Sequence, residues 1–314
     1  MTAYDVAVLG SFMKDLVASA ERRPLPGETL HGTGFAEFLG GKGVNQAVAA
    51  ARMGASTAIV GTVGADRYGD EFLALLADHG VHTGRVLRHP RLGTGVGLPV
   101  VLPDGSNSII IVSRANAAIS TAQVEAAADV LTRCRVLSVQ LELPVEASRT
   151  ALRMAKAAGA TTIFNPAPAG PVDAGLADVV DILVPNEVEA AELTGQSCDD
   201  EDALPRIARR LADEWDLQGC VITLGSRGVY LLDRSAGQEH RIGGHDVATI
   251  DTVGAGDAFC GSLAASIAAG ASLLEAVELA NAAGALSTTV SGAAASAPAR
   301  TDALALLTRA AFPA

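Results

Sequence analysis

Short apolar runs that close on glycine alternate with segments of helical spacing. This alternation limits the fold more than any other feature of the chain. YDVAVLG (Tyr4–Gly10) reads as a buried strand. VNQAVAAARMG (Val44–Gly54) has helical spacing and stops at a glycine. STAIVGTVG returns to a strand and RYGDEFLALLADHG to a helix. Further strands are expected at RVLSVQL (Arg135–Leu141), TTIFN (Thr161–Asn165), DILVPN (Asp181–Asn186) and CVITLG (Cys220–Gly225), with helical segments between most of them. Such a chain forms an α/β fold, a mainly parallel sheet with helices on both faces. Two stretches break the rhythm. Residues from about 12 to 39 hold RRPLPGETLHGTG, and residues from about 93 to 112 read as two strands around Pro103-Asp104-Gly105. Both are expected to leave the main sheet and pair as a small β lid. With no repeat, low-complexity tail or long linker, residues 1–314 read as one domain.

Composition narrows the partners. Apolar residues make up 49% of the chain and aromatics only 4%, so a large core is available but aromatic platforms for nucleic acid are not expected. A net charge of −12 without a Lys/Arg-rich run argues against nucleic acid and anionic membranes alike. An anionic substrate would need local positive groups. Cys134, Cys198, Cys220 and Cys260 are far apart and form no CxxC, which fits a reducing cytoplasm rather than a zinc or redox site. Asp5 and Lys14 stand in a strand-like N-terminus, so no signal peptide is expected. The uncharged run Ala258–Leu274 is too short and too rich in Gly and Ser for a membrane span, and reads as a buried helix.

Two glycine motifs carry chemistry. GGKGVNQA (Gly40–Ala47) lies between a strand-like segment and a helix. Its adjacent glycines allow close approach of a ligand to the backbone, and Lys42 and Asn45 add donors. It is not a P-loop, because Gly43 follows Lys42. Taken alone, it also suits a plain turn before a helix. The second motif, DTVGAGDAFCGSLAASIAAG, sets Asp251 and Asp257 around the turn Gly254-Ala255-Gly256. Backbone N–H groups converging at a helix start favour an anion. Asp257 there suits two roles: an N-cap, or a base that takes a hydroxyl proton beside a transferring phosphoryl group.

Together these motifs resemble the two signatures of the ribokinase (PfkB-type) carbohydrate kinases. Between them, ANAAIS (Ala115–Ser120), LELP (Leu141–Pro144), NPAPA (Asn165–Ala169), PNEVEA (Pro185–Ala190) and TLGSRG (Thr223–Gly228) are similar to family motifs in family order. The resemblance covers nearly the whole chain. It implies a ribokinase-like three-layer fold, ATP-dependent transfer of a phosphoryl group to a pentose 5-hydroxyl, and a homodimer joined through the lids. By position, Asp257 matches the catalytic base, and Gly254, Ala255 and Gly256 the anion hole. Asn186 and Glu189 match residues that organise Mg²⁺ and its waters. Thr223, Gly225 and Gly228 match the nucleotide loop, with Gly256 beside the phosphates and Asn281 flanking adenine. Asp251, Val253, Ser287, Val290, Gly292 and Ser296 fall where the family holds a monovalent cation, K⁺. Asp15, Gly41, Lys42, Asn45 and Glu142 match the sugar-binding set.

One position departs. GSFMKD (Gly10–Asp15) places Met13 where ribokinases usually have Asn. A thioether accepts hydrogen bonds only weakly, so a sugar hydroxyl against it would lose a partner, costing roughly 1–3 kcal/mol. A methylene would not. The deoxyribokinase branch resembles this chain in carrying Met there, which implies that 2-deoxy-D-ribose is used at least as well as D-ribose. The alternative, that Met13 only fills space, stays open. So do a sugar-phosphate kinase, for which Lys14 and Arg114 are the available cations, and a nucleoside kinase, which would be expected to lack Lys42. A non-catalytic sensor would be expected to have lost Asp257, and an NAD-dependent oxidoreductase lacks its GxGxxG after the first strand.

Overall fold

The computed structural model describes residues 2–172, 174–198 and 200–311. In chain order the elements are β1 (Tyr4–Leu9), β2 (Met13–Ser19), β3 (Gly34–Gly40), α1 (Lys42–Arg52), β4 (Thr57–Gly64), α2 (Arg67–Asp78), β5 (His82–His89), β6 (Gly95–Val101) and β7 (Asn107–Val112). They continue as α3 (Thr121–Glu125), α4 (Ala128–Leu131), β8 (Cys134–Gln140), α5 (Val145–Ala157), β9 (Thr161–Asn165), β10 (Ile182–Leu183), α6 (Glu187–Thr194) and α7 (Leu204–Glu214). The last are β11 (Gly219–Thr223), β12 (Val229–Asp233), β13 (Gln238–Ile242), α8 (Ala255–Ala268), α9 (Leu273–Ser287) and α10 (Arg300–Ala311).

A nine-stranded sheet runs β13-β12-β11-β10-β9-β8-β1-β4-β5. Its strands are parallel from β5 through β11, and β12 and β13 add an antiparallel edge. Strand side chains alternate between faces. Val6 and Val8 of β1 enter the core under α1, α2, α8, α9 and α10, whereas Ala7 and Leu9 enter the core under α3 to α7. This confirms the layered α/β arrangement expected from the alternation. The strand expected over Asp181–Asn186 is shorter, pairing at Ile182–Leu183 with an isolated bridge from Asn186 to Thr223.

The segment Ala258–Leu274 is not one helix. Gly270 takes φ 90°, which ends α8, and Ser272 opens α9 with a capping box to Glu275. No helix among the described residues is long and apolar enough to cross a membrane.

The two insertions form a separate four-stranded sheet, β3-β2-β6-β7. β2 follows β1 after only a few residues, so the lid grows from the end of the central sheet. Phe35, Ile109, Ile110 and Ile111 are exposed on it.

Candidate active site

The two glycine motifs, more than 200 residues apart, meet where α1 packs on α8. Gly254 is the residue before α8 and holds φ 81°, a left-handed turn that glycine adopts without strain. Ala255 and Gly256 then open the helix; Ala255 N donates to Thr252 O at 3.3 Å, while Gly256 stands in the first turn, where N–H groups have no acceptor within the helix. Asp257 is not the cap. It lies inside the first turn, 5% exposed, and its carboxylate bonds across to α1. Asn45 Nδ2 donates to Asp257 Oδ2 at 2.8 Å, and Gln46 Nε2 donates to Oδ1 at 3.2 Å. Asn45 Oδ1 is buried with no hydrogen-bond partner, an orphan acceptor that a substrate hydroxyl would satisfy.

On one side of Asp257 lie the residues expected to hold sugar. Gly41 precedes α1 at φ 93°, and a β-carbon there would sit 2.7 Å from Met13 N. Glu142 reaches this helix start: its Oε2 accepts from Lys42 N at 3.0 Å and from the Ser11 hydroxyl. A carboxylate there suits the positive end of α1. Burial opposes charge on Lys42, but Asp257, Glu142 and Glu189 outweigh it and raise the ammonium's pKa. Asp15 projects from β2 between Gly40 and Gly97; a β-carbon at 97 would lie 2.2 Å from its Oδ1. Burial first, and Glu142 second, push Asp15 up to about 6. Met13 is pinned rather than loose. The buried Asn116 amide donates to its Sδ at 3.2 Å and to Phe12 O at 2.8 Å, and accepts from Phe12 N at 3.0 Å.

On the other side a cavity of about 620 Å³ is lined by Thr223, Gly225, Gly228, His245, Asn281 and Gly256, among others. Asn281 Nδ2 donates to Gly243 O at 2.8 Å and so ties down the loop that carries His245. A smaller cavity of about 220 Å³ contains Lys42, Asn186, Glu189, Gly254 and Asp257. The two share Thr223, Thr252, Ala255 and Gly256. Asn186 and Glu189 cap α6 reciprocally, each side chain bonding the other's backbone N–H at 2.8 Å. Glu189 is buried and its pKa is raised, chiefly by burial.

The residues expected to hold a cation lie before α8, at the end of α9 and in the loop after it. Asp251 accepts from Val253 N and Gly292 N, each at 3.0 Å, and so ties Asp251–Val253 to the loop after α9. Ser287 and Ser296 are buried and donate to Gly284 O and Ala293 O, while Val290 is exposed.

Some neighbours of the site were not singled out by sequence: Ser11, Gln46, Asn116, Ser138, Gln140 and His245. For Ser138 and Gln140 a signal exists, two polar residues in a strand that is otherwise apolar after Arg135. Asn116 stands inside a family-like motif. His245 lies in a stretch without a motif.

The profile of the pfkB family carbohydrate kinases matches residues 3–300. A ribokinase of Mus musculus is 39% identical over 263 residues, 82% of this chain and 80% of that protein. A deoxyribokinase of Salmonella typhi is 37% identical over 261 residues, 83% of this chain and 84% of that protein. Among solved structures, an Arabidopsis thaliana ribokinase complexed with ribose and ATP superposes with a TM-score of 0.91 at 30% identity, covering 97% of this chain and 99% of that one. The chain thus belongs to the pfkB family of carbohydrate kinases and is an ATP-dependent sugar kinase.

Proposed function

We propose that the chain is a pentose kinase that transfers the ATP γ-phosphoryl group to the 5-hydroxyl of 2-deoxy-D-ribose at least as well as to that of D-ribose. The observation that carries this reading is the position of Asp257, buried between the sugar-side cluster and the nucleotide-side cavity. In the reaction, its carboxylate takes the O5 proton as O5 bonds to the γ-phosphorus, and ADP leaves with the electrons of the broken P–O bond. The N–H groups of Gly254, Ala255 and Gly256 would stabilise charge on the moving group. Lys42 supplies a fixed cation beside it. Asp15, Asn45, Glu142 and the Gly41 backbone would orient the sugar through charge-assisted hydrogen bonds. Thr223, Gly225, Gly228 and Asn281 would hold the nucleotide.

Glu189 is a hard oxygen donor in the same cavity as Asp257, which suits Mg²⁺, and Asn186 and Glu189 would hold it largely through water. When bound, Mg²⁺ neutralises charge on the nucleotide phosphates. Asp251, Ser287, Ser296 and the carbonyls of Val253, Val290 and Gly292 would supply the oxygen donors that suit K⁺. The whole chain acts as one kinase unit in this reading, with two lids paired in a homodimer that covers their exposed isoleucines. A cytoplasmic setting fits the four buried thiols.

The sugar preference rests on Met13, whose weak acceptor is already engaged by Asn116. A sugar-phosphate substrate is disfavoured because both available cations are committed. Lys14 Nζ lies 2.8 Å from Glu71 and 3.0 Å from Glu37, and Arg114 Nη1 donates to Thr94 O at 2.9 Å. The test is kcat/KM for both pentoses with MgATP and K⁺, beside Asp257→Ala. Parity or a lead for deoxyribose is expected. A tenfold lead for ribose, about 1.4 kcal/mol, would overturn the sugar preference. Near-normal turnover by Asp257→Ala would overturn the base.

A further inference from the structure

We propose that Gln46 is a positioning residue that fixes the rotamer of Asp257 and links it to the central sheet. The inference rests on the reading of Asp257 as the base. Gln46 is fully buried one residue along α1 from Asn45. Its Nε2 donates to Asp257 Oδ1 at 3.2 Å and lies 3.4 Å from Asn165 Oδ1. Its Oε1 accepts from Ser138 Oγ at 2.8 Å and from Gln140 Nε2 at 2.6 Å.

Which end of the amide faces which neighbour is decided by chemistry. An ionised carboxylate only accepts, so Gln46 must turn its N–H₂ toward Asp257. The opposite end is then an acceptor, and Ser138 and Gln140 supply its donors. Both stand on β8 with the same alternation as Val136, on the sheet face covered by α1 and α8. The strand thereby holds the amide, and the amide holds the carboxylate. Asn45 grips the other oxygen, but that residue is expected to turn partly to the sugar; Gln46 faces only protein. One grip therefore persists when substrate arrives. A carboxylate held this way presents a fixed lone pair to the hydroxyl, and misplacement of a base by a fraction of an ångström is expensive in rate.

Gln46→Leu keeps the bulk and removes both functions, while Gln46→Glu keeps the shape and sets a second carboxylate beside the first. For Gln46→Leu the expected result is a kcat about 10–100-fold lower, with KM for sugar and the affinity for MgADP within about threefold of the parent. The acid limb of its kcat–pH profile moves to higher pH, because a donor to the ionised carboxylate is gone, and in Gln46→Glu it moves further. A residue that merely fills the core would lower kcat without moving the acid limb, and that outcome overturns the proposal. So does unchanged kcat in Gln46→Leu while Asp257→Ala is inactive. Should Gln46→Leu fail to fold, the acid limb of Gln46→Glu decides alone. If Asp257→Ala itself turned over, the base reading, rather than the Gln46 geometry, would be what failed.

Discussion

Asp15→Asn should make the free enzyme more stable while weakening it as a catalyst. The Asp15 carboxylate sits between the backbones of Gly40 and Gly97 with Glu142 near, and its pKa rises from 3.8 to about 6, chiefly through burial. The folded value lies above the unfolded one, so ionised Asp15 works against the fold. That burden is absent below about 3.8, grows with pH and is complete above about 6. Two units correspond to about 3 kcal/mol. Part of the carboxylate still meets solvent, so a discounted figure of about 1–2 kcal/mol is expected. Asparagine keeps the shape without the charge. For a chain of this length, that gain is a rise in melting temperature of roughly 2–3 °C at pH 8, falling to about half at pH 5. Melts of sugar-free protein at both pH values read it directly. In the same variant, kcat/KM for sugar should drop about 10–100-fold through lost charge-assisted bonds, with KM for MgATP nearly constant. No gain at pH 8, or an equal gain at pH 5, would refute the burial argument.

Further outcomes are expected elsewhere. Met13→Asn supplies a true hydrogen-bonding group and should shift the ribose-to-deoxyribose ratio of kcat/KM toward ribose by about tenfold; an unchanged ratio would mean that position 13 does not read the sugar. At Gly43 a β-carbon would stand 2.3 Å from Gly10 Cα, backbone against backbone, so Gly43→Ala should destabilise the fold by about 2–3 kcal/mol in denaturant melts. Ile110 is 66% exposed on the lid, and if the lids pair in the proposed dimer, Ile110→Lys should halve the mass measured by light scattering. A mass equal to the parent's would place any dimer contact on another face.

The sheet and its helices were readable because their signals are local: apolar runs, spacing and closing glycines. The lid was readable for a related reason, since its Pro- and Gly-rich stretches interrupt that rhythm. The two glycine motifs suggested a place for an anion and a base, but not whether the Asp257 side chain caps its helix or bonds across to α1. That question turned on Asn45 and Gln46, 212 and 211 residues away in the chain. Gln46 itself was hidden because a lone glutamine in an alanine-rich helix carries no meaning until Ser138 and Gln140 arrive from β8. Asn116 was hidden likewise, since its partner Met13 is 103 residues earlier. The break at Gly270 escaped notice because apolar small residues continue on both sides of it.

The acidic lining of the cleft bears on how fast a nucleotide arrives. Asp257, Glu142 and Glu189 surround Lys42, and Asp15 lies beyond Glu142, in a chain whose net charge is already −12. In the proposed reading a magnesium nucleotide, still an anion, approaches uphill at long range, and the helix start and Lys42 attract it at close range. Added salt screens the distant repulsion first, because those charges act beyond the Debye length of about 10 Å at 0.1 M. The nucleotide association rate should therefore rise with ionic strength, the reverse of an enzyme that steers its substrate inward.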